Sequence, residues 1–239
     1  METTITDSNG MVGPAETRTL TVIKVLLVCG ILSSLLYVAI IFIIGPLRWA
    51  GYSVRSYSVS ELFAYGAPSR SLLVPLGIAY QVLITAFALG VLLSAGRNRA
   101  LRVAGGLLVA YGVVGLTGPF FAMHTRVYLQ NSGPALTDNM HKIVTGITVL
   151  LMVLAVGFAA AALGKRFRIY SIATILALLV FGGLAIPAAS RIEKGLPTPW
   201  VGVMERISIC VFLIWVVVLA VILLRSEKGQ DSHEALKEY

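Results

Sequence analysis

Residues 25–44 read VLLVCGILSSLLYVAIIFII, twenty positions without an Asp, Glu, Lys or Arg. About 20 apolar residues in helical form match the hydrocarbon thickness of a bilayer. A soluble amphipathic helix of that length would return to a polar face every three or four residues, and this stretch has none. Five more stretches read the same way: Leu72–Ala95, Val103–Met123, Ile143–Leu163, Ile169–Ala189 and Ile207–Leu224. The predicted fold is therefore all-α, a polytopic transmembrane bundle of six helices over residues 25–224. Tails at 1–24 and 225–239 are too short and polar to bury a core.

The composition follows from this pattern. The chain of 239 residues is 57% hydrophobic and only 13% charged, with a mean hydropathy of +0.88. A soluble domain carries about 25% charged residues. The net charge of +8 invites a nucleic-acid reading. Its Lys and Arg gather at the ends of the apolar runs instead of forming one stripe, so their role is topological and no nucleic acid is expected as a partner. Cys29 and Cys210 lie inside apolar runs, which argues against a disulfide framework. The first run follows a polar tail and is too long for the apolar part of a signal peptide, so it reads as a retained helix.

Orientation comes from the flanking cations. Eleven Lys and Arg fall on the side of the N-terminus and eight on the other. The short turns around Arg97–Arg102 and Lys165–Arg168 are purely basic, whereas the opposite loops are longer and mix acids with bases. Both termini are therefore predicted in the cytoplasm, in a cell membrane, with the polar loops facing outside. Gly106, Ala110, Gly112, Gly115, Ala155 and Ala159 are candidates for close helix packing.

Nearly all residues capable of site chemistry lie in the three outer loops. Ser58-Val59-Ser60-Glu61 reads as a capping box, each end satisfying a free N–H at a helix start. It also reads as a nucleophile with an acid–base partner. His124 is expected at the end of the third span and His141 at the start of the fourth. Asp138 shares a helical face with His141. His124, Asp138 and His141 are a feasible ligand set for zinc or iron, a metal-free acid–base group, or interfacial polar residues with Thr137 or Asp138 as an N-cap. Haem is not expected, because both histidines sit at one face. Thr198 is expected to cap the last helix, with Pro199 in its first turn. Glu205 and Arg206 would then lie about two turns in, either lining a pocket or snorkelling to the headgroups.

Three segments carry a resemblance. They are Tyr57-Ser58-Val59-Ser60-Glu61-Leu62 with Tyr65-Gly66-Ala67-Pro68-Ser69-Arg70, then His124 with Asp138-x-x-His141, then Trp200 with Glu205-Arg206. Together they resemble the DUF998 family over nearly the whole chain. The resemblance implies a multi-pass membrane protein of bacterial or archaeal type and no particular reaction. The residues themselves suggest an outward polar pocket that binds or modifies a lipid headgroup or small amphipathic ligand. In it Glu61, His124, Asp138 and His141 supply the chemistry, while Ser58, Arg126, Glu205 and Arg206 hold the ligand, the guanidinium groups suiting an anion. Rival readings are a transporter or channel, disfavoured by spans without ionisable residues at mid-depth, and an accessory or sensor subunit with a protein partner of unknown kind.

Overall fold

In the computed structural model, backbone is described for residues 14–235 and side chains for 20–226. Of the predicted tails, residues 1–13 and 236–239 lie outside the described residues, while 14–24 and 225–235 continue the first and last helices. Five of the six predicted apolar runs become helix over nearly their whole length and the sixth only in part, and the described residues are mostly helical. Seven helices follow in order: α1 (Pro14–Ala39), α2 (Arg70–Ser94), α3 (Arg99–Gly115), α4 (Arg126–Ser132), α5 (Leu136–Ala162), α6 (Lys165–Glu193) and α7 (Val201–Ala235). Among the described residues five are long and apolar enough to cross a membrane, over Leu20–Leu47, Arg70–Ser94, Leu136–Ala162, Lys165–Glu193 and Val201–Ser226. The chain is an integral membrane protein.

Helix α3 has 17 residues. Its run was predicted to continue to Met123 but the helix stops at Gly115. Pro119 has no N–H to donate, its ring disfavours helical backbone at Gly118, and Gly115 and Gly118 weaken the helix on either side. His124 therefore lies beyond α3, on extended chain, and not at the end of a span. A second correction concerns α7. It starts at Val201, and the Thr198 hydroxyl, instead of capping it, donates to Ser56 O at 2.9 Å.

The turns after α2 and after α5 are short, which packs α3 on α2 and α6 on α5 antiparallel, and α1, α2, α3, α5, α6 and α7 close into a ring in which α7 returns to α1. Tyr80, Phe87, Phe212 and Trp215 fill its centre, each buried. Outward faces stay apolar, with Leu35, Val82, Leu150, Leu176 and Ile214 all more than half exposed. Lipid, not water, suits such a surface. Small residues seat the helices as anticipated at Gly112, which packs on Thr85, and at Ala155 and Ala159, both fully buried. Gly106 meets nothing within 4 Å; its neighbour Gly105 takes the close contact with Leu92 instead.

At one end of the ring the connections are long and form a cap. There α1 changes register: the Gly45 N–H reaches back to Ile40 O, five residues away, over a wider turn at Ile40–Ile44. The next donor in that register would come from Pro46, which has none. The Ile41 carbonyl is thereby left for another partner.

Candidate functional site

The cap is organised around the loop between α1 and α2. Ser58 and Glu61 form the capping box at the start of a short 3-10 turn, Ser60–Phe63. Glu61 N donates to Ser58 Oγ at 3.2 Å, and Ser58 N donates to Glu61 Oε2 at 2.7 Å. Glu61 is fully buried, and its carboxylate also receives Arg126: Nη2 donates to Oε2 at 2.9 Å and Nε donates to Oε1. Both oxygens are thus occupied. Arg126 adds a bond to Ser56 O at 2.8 Å and lies 4.3 Å over the Tyr57 ring. Burial pulls the Arg126 guanidinium down, but the hydrogen bonds and charge of Glu61 outweigh it and hold the group above its ordinary value.

Glu205 and Arg206 do not pair with each other, because adjacent helix positions point about 100° apart. Glu205 braces the same loop, accepting from Val59 N at 2.7 Å and from Ser60 Oγ at 3.3 Å. Arg206 is 3% exposed and hydrogen-bonds to no carboxylate among the described residues. Its Nη1 donates to Val54 O at 2.9 Å, Gly202 O at 3.1 Å and Tyr57 O at 3.4 Å. Its Nη2 donates to Tyr52 Oη at 2.8 Å and Ile41 O at 3.1 Å, and Nε donates to Ile41 O at 3.3 Å. The carbonyl left over by Pro46 is thus supplied from the other end of the chain. With every nitrogen engaged, Arg206 has no donor to spare for an anion. Gly202 permits this arrangement, since a Cβ there would fall on the carbonyl oxygens of Val54 and Tyr57.

The segments Tyr57–Leu62, Tyr65–Arg70, His124–His141 and Trp200–Arg206 therefore come together as one structural unit. The family model for a protein of unknown function (DUF998) matches residues 31–222. The chain belongs to the DUF998 family. Searches of curated proteins and of solved structures find no match.

In this DUF998 protein the second group of predicted residues is assembled by the segment after α3. Tyr65 N donates to Met123 O at 2.8 Å, and Tyr65 Oη donates to the carbonyls of Pro119 and Phe120. This pins residues 119–124 along the first loop. Helix α5 is N-capped at Ala135, not at Thr137 or Asp138. Asp138 sits in its first turn and is 3% exposed. Its Oδ2 accepts Ala135 N at 2.8 Å, half of a capping box that alanine has no oxygen to complete. Oδ1 accepts His124 N at 2.7 Å, while Oδ2 meets His124 Nδ1 at 2.9 Å. The carboxylate thus grips His124 by backbone and ring together. The imidazole stacks on Tyr128, with centroids 4.0 Å apart, and lies 5.2 Å from the Tyr65 ring.

His141 is directed elsewhere, with Nδ1 at 3.0 Å from Phe121 O. Among the described residues no group of three His, Cys, Asp or Glu side chains is arranged to hold a metal ion. Cys29 and Cys210 are free thiols. An open depression of about 510 Å³ at the cap end is lined by Ala67, Arg70, Ser71, Val74 and Pro75, none of them among the predicted site residues. Residue spacing did not single out the aromatic lining: Trp49, Tyr52 and Tyr57 pack within 5.7 Å of one another, and Tyr65 and Tyr128 flank His124. The available signal was their density beside loop arginines, the usual composition of a membrane interface.

Proposed function

We propose that the chain crosses the membrane of a bacterial cell six times with both termini in the cytoplasm. On the outward cap, His124 binds the polar headgroup of a lipid or small amphipathic ligand and moves a proton there. Helix α3 fits the sixth crossing: 17 residues rise about 25 Å, and α2 and α5 flank it. Purely basic short turns at the opposite end support the orientation.

The observation that carries the functional reading is the His124–Asp138 pair at 2.9 Å. A carboxylate beside Nδ1 draws the proton to that nitrogen and leaves the Nε2 lone pair to accept one from a hydroxyl or water. Nε2 has no hydrogen-bond partner among the described residues, and the side chain keeps 19% of its surface accessible. Among the other charged groups of the cap, Glu61, Arg126, Glu205 and Arg206 are occupied in bracing it. Tyr128 stacks on the histidine and is 40% exposed, and Phe120 and Val127, four and three residues from it in the chain, are 71% and 67% exposed, a composition suited to an amphipathic ligand.

The test is mass spectrometry of lipids from cells lacking the protein and complemented with wild type, His124→Ala or Asp138→Asn. One headgroup class should depend on wild type and be lost with His124→Ala. Asp138→Asn should slow its turnover on the order of 100-fold by releasing the tautomer. Identical lipid profiles in all four strains would end the proposal.

A further inference from the structure

At the end away from the cap, the turn after α2 and the turn after α5 lie side by side. Asn98 joins them. Its Oδ1 accepts Leu101 N at 3.1 Å at the start of α3, and its Nδ2 donates to Ala162 O at 3.0 Å. Around this bond stand Arg97, Arg99, Arg102, Lys165, Arg166 and Arg168, all exposed.

Two of the six have structural work. Arg102 donates to Gly96 O, and Arg168 Nε donates to Ala160 O at 3.3 Å, so each closes a carbonyl near the C-terminal end of α2 or α5. Arg97, Arg99, Lys165 and Arg166 have no partner among the described residues. The acids whose side chains are described, Glu61, Asp138, Glu193 and Glu205, all belong to the cap end. Nothing described at this end offsets the four charges. Arg99, Lys165 and Arg166 moreover begin helices, where the helix dipole adds to their mutual repulsion.

We infer that this surface docks the anionic phospholipid headgroups of the leaflet it meets. Charge complementarity selects that partner: four exposed cations, without a partner among the described residues and spread over two adjoining turns, stand at the depth where the apolar helices end and face a sheet of phosphates. A single buried anion would need converging donors, and these side chains are exposed and spread. Phospholipid phosphates need only proximity, and each cation near an anionic surface contributes on the order of five-fold in affinity.

The test uses the full-length protein in nanodiscs of phosphatidylcholine mixed with phosphatidylglycerol, with the lipids it retains counted by native mass spectrometry. The variant Arg97→Gln/Arg99→Gln/Lys165→Gln/Arg166→Gln should lose preference for phosphatidylglycerol by at least about ten-fold, allowing for screening among neighbouring charges. A variant with Arg97→Lys, Arg99→Lys and Arg166→Lys keeps the charge and should keep the preference. The cap-end control Arg48→Gln/Lys194→Gln should leave it unchanged. Wild-type preference in the four-fold Gln variant, or equal loss in the control, would overturn the inference. Wild type provides an independent check if the Gln variant fails to fold: its preference must weaken as salt rises, and a salt-independent preference would equally overturn the inference.

Discussion

Replacing Arg206 by Met removes the guanidinium while keeping a long side chain of similar reach. In water an apolar replacement of this kind can be neutral, but the carbonyls around Arg206 remain when it is gone. Ile41 O cannot recover a helical partner, because Pro46 follows in the register that α1 adopts there. Val54 O loses its bond from Nη1. Leaving a buried acceptor unsatisfied costs roughly 1–3 kcal/mol, so two of them amount to about 2–6 kcal/mol. The remaining acceptors are discounted, since Gly202 O lies inside a helix and Tyr57 O retains Tyr52 Oη at 3.3 Å. For a chain of this size each kcal/mol shifts the melting temperature by about 2–4 °C, giving a drop of roughly 4–24 °C. Cys29 and Cys210 are free and sit in apolar helices, so a thiol-reactive fluorogenic dye reports unfolding directly. Arg206→Lys should recover less than half of the loss, because one nitrogen cannot span acceptors on α1, the loop and α7. An Arg206→Met protein melting within about 2 °C of wild type would refute the reasoning.

The same brace gives two further predictions. Gly202→Ala places a methyl group on the carbonyls of Val54 and Tyr57 and should cost about 3 kcal/mol or more, whereas Gly106→Ala, at an open position, should melt like wild type. Burial pushes the Tyr52 phenol from its ordinary value near 10 up to about 12. The unfolded chain therefore ionises first, so the stabilisation from Tyr52 is complete below pH 10 and fades as the pH climbs toward 12. The melting difference between wild type and Tyr52→Phe should stay level up to that range and shrink above it, and a level difference throughout would count against a buried phenol.

The bundle was legible because lipid imposes a coarse rule that composition reveals. A run such as Ile207–Leu224 has no other soluble or amphipathic use. The end of α3 was not legible from apolarity alone, since Phe120, Phe121 and Met123 are as apolar as the helix before them. Only Gly115, Gly118 and Pro119 carried the stop. Ser58 and Glu61 were readable as a capping box because both partners are local. Glu61 with Arg126, and Arg206 with Ile41, were not readable, being 65 and 165 residues apart. The grip of Asp138 on His124 was half visible. The residues were singled out together, but the pairing depends on chain after α3 being laid along Tyr65, which no local spacing encodes. Gly105 in place of Gly106 is a matter of which face α2 meets, a packing outcome one position finer than any small-residue pattern.

The brace between the first and last helices also sets an order of manufacture. Ile41 leaves the ribosome 165 residues before the arginine that completes it, which at ordinary elongation rates is a wait of about ten to thirty seconds. Throughout that interval the top of α1 and the loop behind it lack their final partner, and the ring has a gap where α7 belongs. A product cut short before residue 206 would thus carry an open seam and a first loop whose carbonyls lack their donor. The last helix acts as a proof of completion for the first.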